Sequence, residues 1–144
     1  MPITVRQTST TGIALAAMVA MAAMTAPVSA QMSAPEGEPA ITVEMTGELM
    51  FHPNSVTIAP GETVEWRNVS DVRHTVTLDP DEAFRQDLVH VPEGAETIHS
   101  GFIEPGGTFR YTFEQPGRYG YFCVPHQASN MAGEVIVESP GGNN

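Results

Sequence analysis

The sequence predicts an all-β protein folded as an antiparallel sandwich. Short alternating or β-branched runs recur along the chain, and almost none of them has helical periodicity. Turn signals separate the runs, at Pro60-Gly61, Pro105-Gly106-Gly107 and Pro116-Gly117. Short strands broken by Gly and Pro turns are typical of a sandwich. The predicted strands are residues 41–45, 55–58, 63–69, 74–78, 108–113, 118–123 and 134–138.

Two parts of this pattern need a separate reading. Trp66 shares a strand face with Val64 and Asn68 by period two, and we expect the lone tryptophan to lie in the core. Residues 79–101 lack strand alternation; Asp79 and Pro80 open a run that favours one helical turn. We expect this segment, the 79–101 excursion, to leave the sandwich near one end.

The N-terminus has the pattern of an export signal. Arg6 precedes a small, apolar run over residues 12–24, and Val28-Ser29-Ala30 offers small residues for cleavage before Gln31. A membrane anchor is the alternative, but the run falls short of the ~20 residues that span a bilayer. We therefore predict a signal peptide (1–30), a flexible leader (31–39), one domain (40–138) and a disordered tail (139–144). The protein is expected in the periplasm or outside the cell, with membrane association left open.

The charge excludes one class of partner. The formal charge is −11, and removal of residues 1–30 takes away one arginine and no acid, which leaves −12. Nucleic acid needs a basic surface, so it is not an expected partner. A salty habitat, a basic redox partner and simple solubility all remain open explanations of the acidity.

The single cysteine lies in a cluster of metal-ligating residue types. Cys123, His126 and Met131 fall within nine residues. A thiolate beside imidazole, with a weak axial thioether, is the ligand set of a blue-copper electron-transfer site that lacks one histidine. An unpaired cysteine in an exported protein calls for a reason, and metal ligation provides one.

We predict His74 as the missing ligand. It opens a predicted strand 49 residues before Cys123, so it reaches the ion only if the sandwich is assembled. Three other histidines, His52, His90 and His99, are weaker alternatives, because the first lies in a strand-turn block and the others in the excursion.

Two segments resemble the plastocyanin-like cupredoxins, the blue copper proteins that include plastocyanin, halocyanin and pseudoazurin. Residues 51–68 are similar to the family's early block of Phe, Pro, Gly, Thr, Val, aromatic and Asn. Residues 117–135 have the Cys, two residues, His, four residues, Met spacing of plastocyanin and pseudoazurin. Thr75 stands where plastocyanins usually have Asn, but its backbone N–H is still expected to reach the thiolate.

The resemblance implies an eight-stranded Greek-key sandwich that holds one copper ion by His74, Cys123, His126 and axial Met131. The expected function is outer-sphere electron transfer by Cu(I)/Cu(II) cycling, not enzymatic catalysis, with no small-molecule substrate. Expected partners are redox proteins such as cytochromes or membrane electron-transfer complexes with basic docking surfaces. The protein itself is expected to be a monomer. A periplasmic copper carrier or chaperone is the alternative. The expected docking patch around His126 comprises Met50, Val124, Pro125, Ala128 and Ala132.

Overall fold

A computed structural model describes residues 37–141, through which seven strands run. The strands are β1 (Ile41–Met45), β2 (Phe51–His52), β3 (Ser55–Ile58), β4 (Glu62–Asn68), β5 (Thr108–Phe113), β6 (Gly117–Phe122) and β7 (Ala132–Val137). Three short 3-10 helices cover Pro80–Glu82, Gln86–Leu88 and Val124–Ser129. The predicted signal peptide, most of the predicted leader and residues 142–144 lie outside the described residues. Within residues 37–141, no helix is long and apolar enough to cross a membrane.

The strands form two sheets that enclose a common core. One sheet has the order β2-β1-β4-β5 and the other β3-β7-β6. The prediction of an all-β sandwich is confirmed, but the prediction of purely antiparallel pairing is wrong. β1 pairs parallel to β4, and β3 pairs parallel to β7. The two strands of each parallel pair are not consecutive in the chain, because a parallel partner can be reached only through a crossover connection.

The segment with His74 is not the regular strand that its alternation predicts. It makes isolated bridges instead, from His74 to Ile103 and from Thr77 to both His99 and Phe122. The Thr77 and Phe122 backbones exchange two hydrogen bonds of 3.0 Å, so the segment borders the outer edge of β6. The segment forms no continuous strand ladder, because its backbone hydrogen bonds are divided between residues 98–103 and β6. β2, in contrast, was not predicted, since two residues carry no readable alternation.

Alternation along β4 does place its aromatic residue in the core. Trp66 is fully buried, and its ring meets Tyr121 edge-on at 5.3 Å between centroids. Phe51 also meets Tyr121 edge-on, at 4.8 Å between ring centroids. A Cβ atom at Gly133 would lie 2.5 Å from the Tyr121 hydroxyl oxygen, so this position on β7 admits glycine alone. These contacts join strands of the two sheets at Tyr121, two residues before Cys123 in the chain.

The 79–101 excursion begins with the predicted helical turn and then follows β6. The Asp79 side chain accepts a hydrogen bond from the Asp81 N–H at 2.9 Å and caps the first 3-10 turn. Farther along, His90 and Gly120 exchange backbone hydrogen bonds of 3.2 and 2.8 Å. The excursion therefore covers the length of a sheet edge instead of projecting from one end, which corrects the expectation. Covering an edge in this way shields its free N–H and C=O groups from other chains.

β4 also carries a buried carboxylate on its outer face. Glu65 is 2% exposed and accepts hydrogen bonds from Arg110 and Arg67, each at 2.7 Å. Burial raises the pKa of Glu65, but the hydrogen bonds and charges of the two arginines outweigh it and hold the pKa below its usual value. Arg110 also donates to the Gly37 carbonyl at 2.8 Å, which ties the end of the predicted leader to this sheet.

Candidate metal centre

The hairpin loop from β6 to β7 carries three of the predicted ligands. Phe122 and Ala132 pair across the ends of the two strands. Between them, Cys123 precedes the 3-10 segment Val124–Ser129, whose helical geometry is interrupted at His126. The residues between Phe122 and Ala132 therefore form a hairpin loop that begins and ends at paired positions of β6 and β7.

Backbone hydrogen bonds close this ligand loop. The Cys123 N–H donates to the Met131 carbonyl at 3.0 Å, and the Met131 N–H donates to the His126 carbonyl at 3.3 Å. Asn130 adopts a left-handed conformation (φ 59°), which asparagine tolerates better than most residues, and this reverses the chain before Met131. Both Cys123 and Met131 are fully buried. The protein backbone itself thus sets the shape of the loop.

His74 approaches the loop from a distant part of the chain. It is fully buried and exchanges backbone hydrogen bonds of 3.2 and 2.8 Å with Ile103. Its Nδ1 lies 3.8 Å from the Cys123 Sγ, while the Nδ1 of His126 lies 3.2 Å from the same sulfur. The two imidazole rings are 5.0 Å apart between centroids. His74, Cys123 and His126 form a group whose ligand atoms all lie within 4.8 Å of one another.

The environment favours neutral imidazoles in this group. Burial lowers the pKa of His126. Burial also lowers the pKa of His74, as does the neighbouring charge of His126, while a backbone hydrogen bond with Thr46 opposes them. Burial raises the pKa of Cys123, against hydrogen bonds from Thr75 and His126. Metal binding needs neutral histidine and a thiolate, so a metal would find both rings ready and would displace the thiol proton.

Thr75 links the two ligand-bearing segments. Its backbone N–H donates to the Cys123 Sγ at 3.3 Å, as expected from the sequence. Its hydroxyl oxygen accepts a hydrogen bond of 2.8 Å from the Val124 N–H. The threonine side chain therefore joins the ligand loop to the His74 segment.

A polar network that the sequence analysis missed holds the outer edge of His74. The Ser70 Oγ lies 3.0 Å from the His74 Nε2 and 2.7 Å from the Asn68 Oδ1. The Asn68 Nδ2 donates to the carbonyls of Val72 (2.7 Å) and Ile103 (3.0 Å). One signal was available in the sequence, because two short polar residues follow a strand whose alternation points Asn68 inward.

Gln127 is a second functional residue that the sequence analysis missed. It is 2% exposed, and its side-chain oxygen accepts from the N–H groups of Phe84 (3.0 Å) and Arg85 (3.4 Å). Its amide nitrogen donates to the Glu82 carbonyl at 3.0 Å and to the Val124 carbonyl at 3.3 Å. This amide fastens the excursion to the ligand loop beside His126. Sequence pattern gave no indication of the contact, because it joins residues more than 40 apart.

The three alternative histidines lie outside the group. His52, on β2, is exposed. His99 is exposed as well, and its Nδ1 accepts a hydrogen bond from the Gly101 N–H at 2.9 Å. His90 bridges to Gly120 on the side of β6. Among residues 37–141, His74 is therefore the histidine that completes the cluster around Cys123.

The donor set suits copper. Metal bonds to sulfur and to imidazole nitrogen are about 2.0–2.3 Å long, so donors around one ion lie up to roughly 4.6 Å apart. The Sγ-to-Nδ1 separations of 3.2 and 3.8 Å fit a single ion. One thiolate and two imidazoles converge here, and the fully buried Met131 on the same loop would supply the weak axial thioether of a trigonal copper site.

Comparison with known proteins agrees with this chemistry. The profile of the copper binding proteins, plastocyanin/azurin family, matches residues 38–138. The chain belongs to this family. Copper is accordingly its cofactor, and the four residues have the arrangement of a type 1 copper site.

Individual plastocyanins support the assignment to the family. The plastocyanin of Scenedesmus fuscus is 38% identical over 105 residues, which cover 68% of this chain and 99% of that protein. The chloroplastic plastocyanin of Tetradesmus obliquus is 36% identical over 95 residues, and the match spans 61% of its length and 65% of this chain. The structure of oxidised plastocyanin from Dryopteris crassirhizoma matches with a TM-score of 0.53 and 25% identity, over 67% of this chain and 99% of that one.

The surface around the copper site is partly apolar. Of the predicted patch residues, Met50, Pro125 and Ala128 are exposed, whereas Val124 and Ala132 are half-buried. Phe84, which the sequence analysis did not include, is 70% exposed. Its N–H bond to the Gln127 side chain places it beside the ligand loop. His126 is half-buried and His74 is fully buried.

Proposed function

We propose that this protein is a small exported blue-copper electron carrier, with His74, Cys123, His126 and Met131 as its ligands. The convergence of His74 on the Cys123–Met131 loop carries this proposal. Bound copper supplies one electron per cycle between Cu(I) and Cu(II). The protein receives that electron from one redox partner and gives it to another, without forming a bond to either.

Hydrogen bonds that do not involve the ion hold the ligands. The loop closes through the Cys123 and Met131 backbones, Thr75 joins the loop to His74, and Ile103 holds the His74 backbone. Ligands fixed in this way cannot rearrange freely between the two oxidation states. A site that changes little keeps the barrier to electron transfer low, and this favours a carrier over a site that reorganises to release its metal.

Electrons enter or leave through His126, the more exposed of the two imidazoles. The exposed apolar residues near it, among them Pro125, Ala128 and Phe84, provide a surface for brief contact. Such redox encounters bury little area, so they stay weak and short-lived.

Charge steers the partner towards this surface. Asp81 and Glu82 are exposed on the excursion, and the Glu82 carbonyl is bound by Gln127, next to the ligand loop. The whole chain has a formal charge of −11. A field of this sign attracts basic redox proteins such as cytochromes and speeds their encounter at low salt.

Stopped-flow reduction by a basic cytochrome tests the role of charge. The wild-type rate should fall steeply as ionic strength rises, because salt screens exposed charges. Asp81→Asn together with Glu82→Gln should weaken this salt dependence more than Glu114→Gln together with Glu138→Gln, an equal charge change at exposed positions of the opposite pole. Equal slopes for the two double variants would remove the excursion from recognition.

Substitution of the ligands tests the copper site itself. Cys123→Ser should abolish the intense blue thiolate-to-copper absorption and the redox activity, because serine offers no soft thiolate. His74→Ala should also remove the blue colour, whereas His52→Ala and His99→Ala should leave it unchanged. A blue Cys123→Ser protein would contradict the proposal. Far-ultraviolet circular dichroism of each copper-free variant checks that the sandwich remains folded.

A copper carrier or chaperone would use the same ligands, so two further measurements on the copper-loaded protein are needed to separate the two functions. Reversible one-electron cycling with the ion retained supports the electron carrier. Loss of copper on contact with a partner protein would support the chaperone.

We further propose that the copper domain spans residues 40–138, that the protein acts as a monomer and not as an enzyme, and that residues 1–30 direct its export.

A further inference from the structure

We propose that Ser70 is the positioning residue of His74: its hydroxyl fixes the Nε2–H tautomer and so presents the bare Nδ1 to copper. This inference rests on the proposed function, in which His74 is a ligand. Ser70 is half-buried on the loop between β4 and the His74 segment. It does not touch the ion position directly, since its contact is with the far nitrogen of the ring.

The orientation of the Asn68 amide is the first step of the argument. Asn68 is 1% exposed, and one end of its side chain faces two carbonyl groups, those of Val72 (2.7 Å) and Ile103 (3.0 Å). Carbonyls only accept hydrogen bonds, so this end is the NH₂ group. The other end, facing the Ser70 N–H at 3.0 Å, is the carbonyl oxygen. The reversed amide would place oxygen against oxygen on one side and N–H against N–H on the other.

The Ser70 hydroxyl proton is the second step. Its oxygen lies 2.7 Å from the Asn68 Oδ1 and 3.0 Å from the Val72 carbonyl oxygen, and both of these groups are acceptors. A serine hydroxyl has one proton, and it must point to the Asn68 Oδ1, because a 2.7 Å contact between unprotonated oxygens is repulsive. The lone pairs of Ser70 remain for the other neighbours.

The His74 tautomer follows from this arrangement. Because the Ser70 Oγ can only accept from the ring, the His74 Nε2, 3.0 Å away, carries the proton. In the neutral ring the Nδ1 then has no proton, and this is the nitrogen that faces the Cys123 Sγ at 3.8 Å. A hydrogen-bond acceptor on the far nitrogen also makes a metal-bound imidazole a stronger donor. Ser70 thereby orients the ring and stabilises Cu(II) more than Cu(I).

A hydrogen bond between the Thr46 backbone and the His74 side chain is the competing explanation of how the ring is held. If Thr46 alone holds the ring, the loss of the Ser70 hydroxyl has no consequence at the copper. If Ser70 is the positioning group, its removal changes properties of the ion that a surface substitution leaves alone.

The test compares Ser70→Ala with Ser55→Ala, the same change at an exposed position of β3. In Ser70→Ala we expect a Cu(II) affinity about 10- to 100-fold lower, the usual cost of losing an outer-shell partner, and a higher reduction potential. In nuclear magnetic resonance spectra of the Cu(I) protein, the His74 Nε2–H should exchange faster with solvent. Ser55→Ala should match the wild type in all three measurements.

Ser70→Thr and Ser70→Val extend the test with side chains of similar shape. The threonine variant retains the hydroxyl and should keep the wild-type potential and exchange rate, whereas the valine variant should behave like Ser70→Ala. Wild-type values in both Ser70→Ala and Ser70→Val would overturn the role of Ser70 while leaving the electron carrier intact. Loss of the proposed function itself would show differently, as a wild-type protein that lacks the blue band and reversible redox cycling.

Discussion

The two parts of the copper site are built in opposite ways. The Cys123–Met131 loop is local: its proposed ligands are neighbours in sequence, and its own backbone closes it. The His74 segment is assembled from distant parts of the chain, because Asn68, Ser70 and Ile103 hold it through side-chain and backbone hydrogen bonds. Thr75 and Val124 join the two parts.

This difference separates two sources of precision. The loop derives its geometry from residue spacing and a left-handed Asn130, which any intact β6–β7 hairpin would support. The His74 ring derives its geometry from a buried polar network, which loses its function if one member is left without a partner. Damage to the network should therefore affect stability and copper together, and damage within the loop should affect mainly the copper.

The largest effect is expected for Asn68→Ala, which attacks the His74 segment. The carbonyls of Val72 and Ile103 would each lose the Asn68 donor, and the Ser70 N–H and hydroxyl would lose their Asn68 acceptor. The free energy of unfolding should therefore fall by about 2–4 kcal/mol. Urea unfolding of the copper-free protein measures this change. Asn54→Ala, at an exposed position before β3, is the matched control. A loss below that of the control would mean that the network does not support the segment.

Thr75→Val tests the connection between the two parts. The side chain keeps its shape but no longer accepts from the Val124 N–H, and an unpaired buried donor costs about 1–2 kcal/mol. Hydrogen exchange at the Val124 amide should become faster than in Thr57→Val, which alters an exposed threonine of β3. Unchanged exchange at Val124 would show that the loop holds itself without Thr75.

Met131→Leu tests the loop alone. The volume is nearly conserved, so the loss of stability should be about 1 kcal/mol or less. The site should stay coloured with a higher reduction potential, because loss of the weak axial donor destabilises Cu(II) more than Cu(I). Met131→Gln, with a harder oxygen, should lower the potential. Unchanged potentials in both variants, measured by voltammetry, would place the axial ligand elsewhere.

The smallest effect is expected on the outer face of β4, the strand that ends at Asn68. Because the folded-state pKa of Glu65 is depressed, its stabilising effect is present above its ordinary pKa of 4.5 and is lost as the pH falls through the lower, folded value. Glu65→Gln should cost about 0.5–1 kcal/mol at neutral pH, given its partly exposed arginine partners. Its unfolding free energy should vary less with pH below 4.5 than that of Glu44→Gln, an exposed change on β1. Equal acid dependence in the two variants would contradict the proposed role of the Glu65 ion pairs.

Sequence alone predicted the parts whose signal is local. Five predicted strands, at residues 41–45, 55–58, 63–69, 108–113 and 118–123, match β1, β3, β4, β5 and β6 within one residue. The position of Cys123 at the start of a loop, and the burial of Trp66, followed from spacing and alternation. These features depend on neighbours along the chain, and a sequence displays neighbours directly.

Tertiary structure decided the features that depend on distant partners. Strand direction was mispredicted, because alternation is the same in parallel and antiparallel strands. The His74 segment was predicted as a regular strand, yet it divides its hydrogen bonds between β6 and residues 98–103. Gln127 left no local signal, and the polar residues after β4 did not indicate which ring Ser70 would contact. These hydrogen bonds have meaning only once Phe84 and His74 have been brought beside them. The sequence by itself thus determined which atoms could hold copper, whereas the fold decided how those atoms are oriented and held, since a hydrogen bond needs both of its partners in place.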